Sequence, residues 1–146
     1  MEFQTNDATN AKVTTLVKPM VIDTLKRTAL FSDVVTAPAV SDNQLYLTIN
    51  NFPVTKDASS KGFTTGLTFG LAGTMVTDGF MLTAIYKTPD KSEVKHSYQH
   101  ALHTTIGNAS GPAGLTPAAN ADIAIREIVD GLVLNLMKDM NNKGEL

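Results

Sequence analysis

Cysteine and tryptophan are both absent from the 146 residues. Without a thiol the chain forms no disulfide, offers no thiolate nucleophile and builds no Cys-based zinc site. Positive charge is also scarce. Twelve Lys and Arg stand against 14 Asp and Glu, for a net charge of −2. No basic surplus is left to compete for a phosphate backbone, which argues against nucleic acid as a partner. Apolar runs fall well short of the roughly 18 to 20 residues a membrane helix needs. The opening MEFQTNDATN has neither a basic region nor an apolar one, so no signal peptide is expected.

What is present is a globular composition, 42% hydrophobic and 18% charged, which suits a core under a weakly charged surface. This length fits one domain over 1–146, with a loose polar arm at 1–11 and the core from 12 onward. A short strand is possible within the arm at 2–4. The pattern Val13, Leu16, Val17, Met20, Val21, Leu25 and Ala29 then follows helical spacing. Pro19 interrupts it by removing an amide donor and crowding the preceding turn. Either a strand at 12–17 precedes a helix starting near Pro19, or one kinked helix runs from 12 to 30. A helix over 18–30 is common to both.

Beyond it, Phe31-Ser32-Asp33-Val34-Val35 reads as a turn into a short strand ended by Pro38. Residues 43–52 alternate Leu45, Leu47 and Ile49 with Tyr46, Thr48 and Asn50, the period of a half-buried strand. The block 62–87, GFTTGLTFGLAGTMVTDGFMLTAIYK, has no acid, base or thiol between Phe63 and Thr77. Its second half, 76–88, alternates Phe80, Leu82, Ala84 and Tyr86 with Met81, Thr83, Ile85 and Lys87. The turn Thr88-Pro89-Asp90-Lys91-Ser92 should return it as a hairpin into 93–106. Thr116-Pro117 supplies a helix start, cap then proline, for a final helix over 116–141 that Gly144 stops. Ala121, Ala124, Ile125, Ile128, Leu132, Leu136 and Met140 form its stripe, widened by Val129, Val133 and Met137. The expected fold is a two-layer α+β domain, with a mainly antiparallel sheet of about four strands packed on two helices.

No catalytic signature emerges. His96 and His100 share a strand face about 13 Å apart at ~3.3 Å per residue, too far for one metal, and His103 points to the other face. The glycines of GLTFGLAG lack the following Lys-Ser/Thr of a phosphate loop. Asp78-Gly79 reads as a bulge or turn. Two sets of residues are candidates for function. Leu67, Phe69, Leu71 and Met75 could form an apolar lip for a protein partner. Alternatively, His96, Tyr98, His100 and Asp78 could line a ligand pocket between sheet and helices.

The succession of TALFSDV, QLYLTIN, the block TTGLTFGLAGTMVTDGFMLTAIYKTPDKSEVKHSYQH and the helix ADIAIREIVDGLVLNLMKDM resembles small bacterial outer-membrane lipoproteins of unassigned function. Their architecture is similar to the TolB amino-terminal domain. The resemblance covers roughly 18–142 and rests on patterns of size and polarity. It departs at Ala72-Gly73, where the family often has Ile or Phe before Pro, and in lacking the lipid-bearing cysteine. It implies a non-enzymatic periplasmic or envelope protein without cofactor or metal. Such a protein would bind a protein partner, or itself, through a sheet edge or the segment 66–76. Membrane association would need a lipid anchor outside these residues. A small-molecule binder or enzyme, in either the envelope or the cytoplasm, and a phage or mobile-element structural protein are the alternatives.

Overall fold

The computed structural model describes residues 1–37, 39, 42–54, 74–90 and 92–146. Its elements run in chain order as β1 (Glu2–Thr5), β2 (Ala8–Thr9), α1 (Ala11–Arg27), β3 (Gln44–Pro53), β4 (Thr74–Lys87), β5 (Glu93–Ile106) and α2 (Ala121–Lys143). The described strands form one sheet in the order β2-β1-β3-β4-β5. All neighbours are antiparallel except β1 and β3, which run parallel. This is the expected α+β architecture, with five strands rather than about four.

The start of the chain is integrated into that sheet rather than loose. Asn6 and Asp7 both adopt positive φ, 52° and 63°, as a two-residue type I′ hairpin turn requires. The hairpin aligns Phe3 with Ile49 and buries it to 4% exposure. Its fixings are long-range. The Asp7 amide donates to Asn50 Oδ1, and Asn50 Nδ2 donates back to Asp7 Oδ1 at 2.7 Å. Those partners lie 43 residues apart, so a local reading of 1–11 could not see them.

Helix α1 runs unbroken through Pro19, which excludes the strand at 12–17. Asn10 caps it, its side chain accepting from the Val13 amide at 3.1 Å. Thr14 Oγ1 accepts from the Phe3 amide at 2.8 Å and ties the first turn to β1. Burial of Val17, Val21, Thr24 and Leu25 on one stripe offsets the proline's lost hydrogen bond. Pro19 itself lies on the exposed side, as does Leu16 at 60% exposure, although it fits the helical spacing. The helix ends at Arg27, three residues short of expectation, where Ala29 turns to positive φ.

The hairpin is continuous. β4 and β5 pair residue for residue from Thr74↔Ile106 to Lys87↔Glu93, and the bulge or turn expected at Asp78-Gly79 does not occur. Gly79 serves packing instead. A Cβ there would sit 2.6 Å from the Phe52 ring, which lies across it. At the turn, Asp90 accepts from the Ser92 amide at 3.0 Å and from the Thr88 hydroxyl. These bonds hold its carboxyl below the usual carboxylate range, the Thr88 hydroxyl contributing most.

α2 starts at Ala121, not near Thr116. Asn120 outcompetes Thr116 as the cap and accepts from the Ile123 amide at 2.9 Å. Gly144 ends the helix in the left-handed conformation, φ 68°. The buried stripe is Ile128, Val129, Leu132, Val133, Leu136, Met137 and Met140, while Ala121 is exposed. Both helices pack on the sheet face that carries Leu47, Ile49, Phe80, Leu82, Ala84 and Tyr86. Asp130 of α2 joins the two helices by accepting from Thr24 and from Arg27 Nη2 at 2.9 Å.

Candidate functional site

Among the described residues three features have chemical content: a polar cluster under the end of α2, the outer edge of β5, and a cleft beside α1.

The cluster includes two of the four residues expected to line a ligand pocket. Period-two alternation puts His96 and Tyr98 on the helix-facing side of β5, opposite Ala84 and Leu82. Their rings stack at 6.2 Å with 12° between planes. His96 Nε2 pairs with Glu145 Oε2 at 2.7 Å, with the imidazole only 7% exposed. The Tyr98 hydroxyl donates to Asp139 Oδ2 at 2.7 Å. Burial, followed by the nearby Asp139 and Glu145 carboxylates, pushes the Tyr98 phenol up to about 12. Both carboxylates come from the end of α2 or just beyond it, so the cluster fastens that end to β5.

His100 and Asp78 do not join them. His100 is exposed and its Nδ1 lies 3.0 Å from the neighbouring Ala101 carbonyl oxygen. Asp78 stands opposite Leu102, four pairs beyond the partner of Tyr98, and burial raises its carboxyl pKa. The four residues therefore do not form one pocket. His103 faces the other side, 2.9 Å from Thr77 Oγ1. Among the described residues no group of three or more His, Asp or Glu is placed to hold a metal ion.

The free edge follows from topology. β5 is the last strand of the sheet, and among the described residues no strand pairs with its outer side. The opposite edge, β2, is two residues long. β5 is 14 residues long, without proline or bulge. Charge is confined to its start. Glu93 bonds Lys87 at 3.0 Å and Lys95 at 3.1 Å, and its carboxyl pKa is lowered by Lys87 first and Lys95 second. Residues 97–106, SYQHALHTTI, contain no Asp, Glu, Lys or Arg. Met75 lies on the neighbouring strand near the far end of this edge and is 40% exposed. Leu67, Phe69 and Leu71, the other members of the expected lip, lie outside the described residues.

The cleft, of about 820 Å³, lies between α1, residues 30–36 and the start of β3. Its walls include Val21, Leu25, Phe31, Val34, Leu45 and Tyr86. Sequence reading missed it by assigning 34–35 to a strand, whereas these residues are irregular. The usable signal was Phe31, Val34 and Val35, apolar residues between helix and strand with no period of their own.

No protein-family model matches this chain, and no curated protein matches it. Among the described residues no helix is long and apolar enough to cross a membrane.

Proposed function

We propose that this chain is a non-enzymatic protein-binding domain that takes up a partner strand along the outer edge of β5. The observation that carries the reading is the edge itself. It is long and regular, it is unpaired among the described residues, and it is uncharged over 97–106. Sheet edges of this kind pair with other chains unless charge, proline or a bulge blunts them. Strand addition supplies main-chain hydrogen bonds for affinity, while alternate side chains select the partner. The exposed Ser97, Gln99 and Ala101 would make that selection on the outer face. A binding role is also supported by the cluster at His96, where the imidazole Nε2 and the Tyr98 hydroxyl are occupied by carboxylates. The resemblance to small outer-membrane lipoproteins supports a cell-envelope setting for this activity.

Hydrogen exchange tests the reading. In envelope extract, outward-pointing amides of 97–106 should exchange more slowly than in buffer. The double variant Gln99→Lys, Ala101→Lys should abolish that protection while retaining the far-UV circular dichroism spectrum. Unchanged exchange, together with a monomer by sedimentation velocity, would sink the proposal. Fractionation of tagged cells tests the envelope assignment separately.

A further inference from the structure

We infer that the cleft between α1, residues 30–36 and β3 binds a neutral acyl compound, a hydrocarbon chain carrying an ester or amide carbonyl that the Tyr86 hydroxyl engages. This site is separate from the β5 edge, and neither proposal depends on the other.

Size is the first argument. About 820 Å³ lies within the roughly 300–1,000 Å³ typical of small-molecule sites. The character of the wall is the second. About half of its lining residues are aliphatic, Val21, Leu25, Val34, Leu45 and Leu47 among them, which suits a flexible hydrocarbon chain. Much of this surface belongs to the core, so the space has a rigid floor.

Tyr86 is the third and most specific argument. The residue is 3% exposed. Its hydroxyl has no hydrogen-bond partner among the described residues. No fully buried polar side-chain atom in the described structure lacks a partner, so this oxygen must reach solvent. Tyr86 is among the residues that line the cleft. A phenol in an apolar wall, with one unfilled bond, asks for one polar atom on the ligand. Burial raises its pKa, so it stays protonated and donates; a carbonyl oxygen is the matching acceptor.

Charge at the rim argues for a neutral ligand. Among the described lining residues Lys18 is the one cationic side chain, against Asp33 and Asp42. Each aspartate accepts a backbone N–H at 2.7 Å, Asp33 from Val34 and Asp42 from Ala39, which fixes both carboxylates beside the opening. A carboxylate entering here would gain Lys18 and meet two like charges.

Isothermal titration of the intact protein with monododecanoin, below its micellar concentration, should show one saturable site. Sodium dodecanoate, with the same chain and a carboxylate, should bind more weakly. Tyr86→Phe should weaken monododecanoin about five- to tenfold, as expected for one hydrogen bond. Val34→Trp, which fills the cleft from a half-buried position, should abolish binding. Circular dichroism and melting curves check that both variants fold. Phosphatidylcholine vesicles containing dioleoylglycerol provide the second arm. Val34-dependent flotation with them would assign a membrane-borne acyl group, and binding of the free ester alone would assign a soluble one. The inference is overturned by the absence of saturable binding, by equal binding to folded Val34→Trp, or by dodecanoate binding more tightly than the ester. It is also overturned if sedimentation shows a dimer that Val34→Trp dissociates, because the cleft would then be a contact between copies.

Discussion

A methyl group on Gly79 would meet Phe52 Cε2 and Cζ at 2.6 Å and Val54 Cγ2 at 3.1 Å. Contacts that short force the ring to move, and overpacking of this kind costs about 1–3 kcal/mol. Gly79→Ala should therefore lower the urea midpoint, and the loss should shrink in a Phe52→Ala background, where the obstructing ring is gone. Purely additive losses in that double-mutant cycle would show that the ring is not the cause. Tyr98 provides a second test at this scale. Its pKa rises from 10.0 in the unfolded reference to about 12 in the fold, which favours the neutral phenol. That stabilisation is complete below pH 10 and disappears as the pH climbs through about 12. Alkaline titration followed by tyrosinate absorbance should contain a component near pH 12 that Tyr98→Phe removes.

The helices show how local signals compete. Thr116-Pro117 and Asn120 are both acceptable starts for α2, and they lie four residues apart. The structure uses Asn120. Asn120→Ala should cost about 1 kcal/mol, the usual value of a cap, and Thr116→Ala should change stability by only a few tenths. Thermal melts of the two variants distinguish the starts, and the reverse order would return the cap to Thr116. The same competition explains α1. Pro19 argues against a continuous helix, yet Val17, Val21 and Leu25 bury a stripe that runs across it, and packing outweighs the local cost. The hairpin had no such conflict. Strict alternation and the turn at Asp90 agree, so the ends of β5 and the inward set Phe80, Leu82, Ala84 and Tyr86 match expectation. Leu67, Phe69 and Leu71 lie outside the described residues, so of the expected lip only Met75 is placed.

At the scale of the molecule, one buried cluster draws Phe3 from β1, Val17 from α1, Ile49 from β3, Leu82 from β4 and Leu136 from α2. Elements that share a core lose it together. Urea unfolding followed by far-UV circular dichroism and by tyrosine fluorescence should give coincident midpoints. Separate midpoints would show that α1 or α2 detaches independently. The exposed edge of β5 belongs to this scale as well, because a strand is an edge only by its place in the sheet.

The amino-acid sequence by itself determined the features that depend on neighbours a few residues away. These include the period-two faces of β3, β4 and β5, the stripe of α2, the turn at Asp90 and the stop at Gly144. Such features follow from steric period and turn chemistry, which act over one or two turns of chain. Tertiary structure decided the rest. It inserted β1 parallel to β3, carried α1 through Pro19, paired His96 with a carboxylate 49 residues away, and left 34–35 irregular to wall a cleft. Each of these outcomes depends on which distant surfaces meet. That choice is made by burial of the whole apolar set at once, and no local pattern encodes it.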